Sequence, residues 1–284
     1  MERLKNQLSY ERSDNMTVKI GFIGAGRMAD AMINGLIAKN IYDKNEIVAC
    51  APTAETRDRV SKKYGIGMYE KAEEISEIAD ILVLAIKPKH IPDLFETECL
   101  KLDKRHLLIS IAAGVKIKTL ESYVPDSRIV RVMPNHCCMV LEGASGYVRG
   151  TKTTDDDMIA VKEILSALGL AVEVKEHDLD AVTGVSGSSP AFMYMMIEAV
   201  ADAGVLYGLP RTTATHLAAQ SMLGAGKMAL ESGMTPEQLV DGVCSPGGTT
   251  IEGVKILEEQ DFKSLVIQAV NASVKRSIEM GKKN

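Results

Sequence analysis

Short runs of aliphatic and β-branched residues alternate with apolar positions at helical spacing from the start of the chain to about His177, which predicts strands and helices in turn. The first run, V-K-I-G-F-I at 18–23, passes straight into G-A-G-R-M-A at 24–29 and then into an apolar-periodic segment: strand, tight glycine turn, helix. Further buried strands are expected at 46–50, 79–86, 107–111 and 128–132, and proline ends the second of these at Lys87-Pro88. Two more, at 145–148 and 171–174, bracket a helix at about 156–168. Strands alternating with helices in this way build a mostly parallel sheet with helices on its faces.

Around 177–181 the alternation stops, and from Ser189 onward the pattern is helical throughout. Ser189 as N-cap and Pro190 at the first helical position open a helix running to Leu206, and Gly208-Leu209-Pro210 stops it. Helices follow at about 212–232, from Thr235-Pro236-Glu237, at 250–259 and at 262–280. The first two are apolar on nearly every side, with Met193, Met195, Met196, Met222 and Met228 set among small residues. A helix that is hydrophobic all round is buried all round, so a second copy of the chain is the expected cover. The fold class is therefore α/β: an N-terminal Rossmann-type doubly wound sheet at 17–178, followed by an all-α dimerisation and substrate domain at 179–284. Residues 1–16 are polar and aperiodic, and read either as a disordered arm or as sequence upstream of a start at Met16.

Composition narrows the functions available. A net charge of −5 without a basic block gives no electrostatic footprint for nucleic acid, and no stretch of about 18 residues lacks charge, which argues against a membrane span. The partner should be a small molecule. Five cysteines (Cys50, Cys99, Cys137, Cys138, Cys244) are an odd number without framework spacing, and no signal-like segment opens the chain, so a reducing, cytoplasmic compartment is expected. The histidines are scattered, and no metal site is expected.

In the glycine turn, Gly24 would permit the sharp bend, Gly26 would let a pyrophosphate approach the backbone, and Ala29 would allow close helix–strand packing. The helix N-terminus offers N–H groups and partial positive charge to that anion. Beyond the second strand, at Ala51-Pro52-Thr53, no acidic residue stands ready for ribose hydroxyls, while Thr53 and Arg57 are within reach of a 2′-phosphate. That tilts the cofactor toward NADPH, with NADH as the alternative. Lys87 sits where a strand end would line the cofactor cleft, or is simply a solvated lysine. Cys244-Ser245-Pro246-Gly247-Gly248-Thr249-Thr250 runs a proline-glycine loop into a helix N-terminus, which suits a small carboxylate or serves only as a cap. Neither loop stands near a nucleophile–base pair, so the chemistry should come from the cofactor, as hydride delivered to an already polarised imine.

The runs G-F-I-G-A-G-R-M-A, A-I-K-P, S-I-A-A-G-V, R-V-M-P-N, S-G-S-S-P-A and D-G-V-C-S-P-G-G-T-T-I-E-G together resemble the pyrroline-5-carboxylate reductase family from about Val18 to Met280. The resemblance implies reduction of 1-pyrroline-5-carboxylate to L-proline by NADPH or NADH, the last step of proline biosynthesis. It also implies a homodimer interlocked through the helical domain, with decamers of five dimers known in the family. It assigns Gly24, Ala25, Gly26, Arg27, Met28 and Ala29, with Ala85, Ile86, Lys87 and Pro88, to the cofactor. Ser245, Gly247, Gly248 and Thr249 go to the substrate carboxylate, and the Thr250 hydroxyl faces the ring nitrogen across the dimer. This chain departs from the family pattern at Arg27 (more usually Asn), Ala51 (Ser), Ala72 (Asn), Ser189 (Gly) and His136-Cys137 (Thr-Pro). Two other readings remain: a β-hydroxyacid dehydrogenase relative using Lys227, and a non-catalytic dinucleotide sensor.

Overall fold

The computed structural model describes residues 19–281, so the expected N-terminal arm lies outside the described residues. The described residues divide into two units, 19–187 with 276–281, and 188–275.

The first unit holds one eight-stranded sheet. Its strands are β1 (Ile20–Ile23), β2 (Ile47–Cys50), β3 (Gly67–Tyr69), β4 (Ile81–Leu84), β5 (Leu107–Ser110), β6 (Arg128–Met133), β7 (Gly143–Arg149) and β8 (Gly169–Glu173), in spatial order β3-β2-β1-β4-β5-β6-β7-β8. β1 to β6 run parallel, β7 is antiparallel to β6, and β8 is parallel to β7. The first six strands thus follow the dinucleotide-binding order 3-2-1-4-5-6, whose direction of winding reverses between β1 and β4. In register, Ile20 lies between Ile47 and Ile81, and Ile23 between Cys50 and Leu84.

Helices on both faces explain why these strands read as unbroken apolar runs. Ile20, Phe22, Val83 and Ile109 pack on one face with Met32, Ile33 and Leu36 of helix α1 (Arg27–Ala38). Ile23, Leu82, Leu84 and Leu108 pack on the other with Ile75 of α3 (Ala72–Ser76) and Leu120 of α4 (Ile117–Tyr123). Between these lies α2 (Ala54–Tyr64), and α5 (Asp155–Ser166) joins β7 to β8. The Thr154 hydroxyl caps α5 by accepting from the Asp157 N–H, with Asp157 returning the bond to the Thr154 N–H.

At the end of this unit the expected cap at Ser189 is not formed. A short helix α6 (Leu179–Val182) runs into a π-helical stretch (Thr183–Ser188) and on into α7 (Ser189–Leu206), so the backbone is already helical when it reaches Ser189 and needs no cap. Pro190 cannot return an N–H to the carbonyl of Ser186, four residues before it. Asn135, at the end of β6, supplies the missing donor: its Nδ2 donates to the Ser186 carbonyl at 3.0 Å, while its Oδ1 accepts from the Ala144 N–H at 3.1 Å.

The second unit is helical: α7, α8 (Arg211–Glu231), α9 (Pro236–Val243), α10 (Thr249–Glu259) and most of α11 (Phe262–Gly281). α7 and α8 pack through Ala201, Ala214 and Ala218 with Ile197 and Val205, and an Arg211–Asp202 ion pair joins them. Thr235 caps α9, accepting from the Gln238 N–H. Only Pro190, Ala201, Ala214 and Ala218 of this unit are buried, whereas Met195 is 67% exposed, Leu230 76% and Leu206 82%. This much bare apolar surface is far beyond what a soluble monomer carries.

Because Asn135 satisfies two backbone groups, Asn135→Ala should lower unfolding free energy by about 1–3 kcal/mol. Urea denaturation followed by circular dichroism measures it; a change under about 0.5 kcal/mol would mean that water replaces the side chain without loss.

Candidate functional site

The glycine turn begins where β1 ends. The Gly24 N–H donates to the Cys50 carbonyl at 3.1 Å, and the Ala85 N–H donates to the Ile23 carbonyl at 2.9 Å, which brings the turns after β1 and β4 together at the reversal point. Gly24 has φ +98°, and a Cβ there would lie 2.8 Å from both the Ala85 carbonyl oxygen and the Ile86 side chain. No other residue type fits. Gly26 is different: its φ is −78° and an added Cβ would meet no protein atom within 4 Å. The space over it is open, and Gly26 caps α1 without any side-chain hydrogen bond, so the first-turn N–H groups stay available to a ligand. An open cradle over an uncapped helix N-terminus fits a dinucleotide pyrophosphate.

Of the residues expected at the cofactor, the structure brings Gly24, Ala25, Gly26, Arg27, Met28 and Ala29 together with Ala85 and Ile86. Lys87 stands exposed just before the turn Pro88–His90, beyond the end of β4. Thr53 precedes α2 and its hydroxyl donates to Thr56 Oγ1 at 2.9 Å. Arg57, in the first turn of α2, reaches back to the turn after β2, where Nη1 donates to the Ala51 carbonyl at 2.7 Å and to the Pro52 carbonyl at 3.0 Å.

Behind the glycine turn is a network that the sequence pattern did not single out. Asp30, almost buried in the first turns of α1, pairs with Lys63 at 2.7 Å and with Arg59 at 3.4 Å. Arg59 also donates to the Ala25 carbonyl at 3.1 Å, and the Tyr64 hydroxyl donates to the Asp30 carbonyl at 3.1 Å. The Asp30 carboxylate in turn raises the Lys63 ammonium above its ordinary range. α2 therefore fixes the direction of one carbonyl in the turn and offsets a carboxylate placed one helical turn from the anion cradle. The signal in the sequence is the i, i+4 spacing of Arg59 and Lys63, which puts both on one face of α2. Next to the turn, burial pushes the Cys50 thiol up to about 11, so it stays protonated and is no nucleophile.

The second loop belongs to the helical unit. Ser245 to Gly248 form a tight turn closed by the Gly248 N–H donating to the Ser245 carbonyl at 3.0 Å, with Gly247 at φ +70°. Pro at the second position and a left-handed Gly at the third are what a type II turn requires. Gly248 then caps α10 without a side-chain bond, and Thr249 and Thr250 in its first turn are exposed. The turn thus delivers a second uncapped helix N-terminus flanked by hydroxyls. Lys227 lies exposed on α8, 3.8 Å from Glu231.

Residues 176–280 match the family model for pyrroline-5-carboxylate reductase dimerisation, and residues 19–114 match the model described as NADP oxidoreductase, coenzyme F420-dependent. A pyrroline-5-carboxylate reductase of Methanosarcina acetivorans is 44% identical over 266 residues, covering 93% of this chain and 98% of that protein. The chain belongs to the pyrroline-5-carboxylate reductase family. Among solved structures, a pyrroline-5-carboxylate reductase of Coxiella burnetii superposes with TM-score 0.86 at 36% identity, covering 93% of this chain and 98% of the other. A Plasmodium falciparum pyrroline carboxylate reductase with NADP bound gives TM-score 0.81 at 34% identity, covering 94% and 100%.

Two of the positions singled out in the sequence as unusual meet each other. The Arg27 guanidinium, in the glycine turn, lies 3.3 Å from His136 Nε2, in the loop after β6.

Because the backbone at Gly26 admits a side chain and no protein atom opposes it, Gly26→Val should leave the melting temperature within a few degrees while weakening nucleotide binding more than about tenfold. Fluorescence titration alongside thermal unfolding separates the two effects; full nucleotide affinity would show that the turn does not cradle phosphate.

Proposed function

We infer that the chain reduces 1-pyrroline-5-carboxylate to L-proline with NAD(P)H, as an oxidoreductase acting on a CH–NH group at the end of proline biosynthesis. The observation that carries this reading is the pair of glycine-capped helix N-termini, α1 and α10, each open to an anion and neither beside a nucleophile–base pair. The family membership supplies the reaction that two such sites would serve.

In this reading the N–H groups at Gly26 to Ala29 bind the pyrophosphate, and Ala85 to Pro88 flank the nicotinamide half. When bound, the nicotinamide supplies the hydride that adds to the imine carbon. Ser245, Gly247, Gly248 and Thr249 hold the substrate carboxylate at the positive end of α10. The Thr250 hydroxyl bonds to the ring nitrogen, which gains the electron pair of the carbon–nitrogen double bond as hydride reaches the carbon, and whose proton comes from solvent water. The substrate loop of one subunit serves the cofactor of its partner, so the dimer is the working unit. The bare apolar helices and the match to a dimerisation family support a homodimer. Assembly of five dimers into a decamer and residence in the cytoplasm complete the proposal; among the described residues no helix is long and apolar enough to cross a membrane.

The direct test is nicotinamide absorbance with purified protein, each nucleotide and the cyclic imine. Oxidation of NADPH or NADH that depends on the imine is expected. Inertness toward the imine with turnover of small 3-oxo acids would assign the chain to β-hydroxyacid chemistry, and nucleotide binding with no turnover of either would make it a sensor.

Thr250→Ala should keep the dimer and the nucleotide affinity while lowering kcat/KM about 5- to 150-fold, the equivalent of about 1–3 kcal/mol for one hydrogen bond to a charged group. Unchanged kinetics would remove Thr250 from this role.

A further inference from the structure

The adenosine end of the dinucleotide site carries a charge arrangement that the binding of NAD(P)H does not by itself explain. In a sheet of this order, the residues following β2 lie at the ribose that distinguishes the two nucleotides. Here Pro52 shares a cavity of about 330 Å³ with Glu70, Lys71, Ala72 and Glu73, which follow β3, and with Glu98. Three carboxylates against one ammonium make a poor setting for a 2′-phosphate, whose charge approaches −2.

Arg57 is the cation best placed to offset them, and its guanidinium is already engaged. Nη1 is held by the Ala51 and Pro52 carbonyls, and Nη2 stands 3.4 Å from the Glu70 carboxylate. The arginine side chain is 22% exposed and the glutamate 64%. The two backbone bonds tie the Arg57 guanidinium to the turn after β2 through Nη1, so a phosphate and Glu70 compete for Nη2. A phosphate gripped at Nη2 meets the Glu70 carboxylate there as a competitor and a like charge, whereas a free 2′-hydroxyl carries no charge to repel.

We propose that Glu70 is a specificity-determining residue: by occupying the outward nitrogen of Arg57 it lowers affinity for the 2′-phosphorylated nucleotide relative to the unphosphorylated one. The proposal deepens the cofactor reading above and rests on it. It runs against the tilt toward NADPH drawn from the missing acidic residue after β2, because the acidic residue has been supplied from the end of β3 instead.

The test is the ratio of NADPH to NADH dissociation constants, measured by nicotinamide fluorescence or calorimetry on the full chain. Glu70→Gln should raise relative NADPH affinity about threefold or more, a size typical of a partly exposed charge pair, and Glu70→Ala should do the same. In an Arg57→Ala background the Glu70 substitution should have a clearly smaller effect. An unchanged ratio with both nucleotides binding overturns the proposal, as does a Glu70 effect of full size without Arg57. Failure of the wild-type chain to bind either nucleotide is a separate result, which overturns the dinucleotide site itself and the proposal with it.

Discussion

The close approach of two backbones, at Gly24 and Ala85, is the constraint on which the rest of the site depends. Without a side chain at Gly24, the turn after β1 can lie against the carbonyl of Ala85, and β1 can hold its register between β2 and β4. That register fixes where α1 begins. The α1 N-terminus therefore opens at the reversal point of the sheet, where loops from both sides part and leave a crevice. A Cβ at this one position would push the turn off β4 and move the helix N-terminus with it.

Charge around that crevice is arranged by α2. Its Arg59 and Lys63 neutralise Asp30 on α1, and its Arg57 is tied to the turn after β2. One helix thus braces the cradle from behind and fills the outer end of the nucleotide site with committed hydrogen bonds. In the proposed reading the helical unit meets the matching need for a small acid with less material: a type II turn and a glycine cap leave the first turn of α10 unspent. Both candidate sites present backbone N–H groups, whose positions are set by the fold and are not lost to side-chain motion.

A large part of this arrangement is legible in the amino-acid sequence alone. The strands expected at 107–111 and 128–132 stand at Leu107–Ser110 and Arg128–Met133, because buried parallel strands leave unbroken apolar runs. The helix from Thr235-Pro236 is present at Pro236–Val243 for the reason its cap announced. β3 leaves no such trace, since Gly67–Tyr69 is three residues long and partly exposed, with no run to read. Ser189 misleads because a proline after a serine looks like a helix start, and nothing local reveals a π-helical stretch already under way. The Arg57–Glu70 and Asp30–Arg59 pairs join residues of different elements, and only the folded sheet brings them within reach.

The methionines of the helical unit have a consequence of their own. Met193, Met195 and Met228 lie bare on the single chain, on helices that the homodimer proposed above would cover. Thioether sulfur is readily converted to the polar sulfoxide, which would spoil a hydrophobic seam. In that dimer a newly made subunit would be vulnerable to peroxide in the interval before it finds its mate, and mating would shield it afterwards. Oxidative damage would be recorded as a pool of orphaned subunits, with the finished enzyme largely spared.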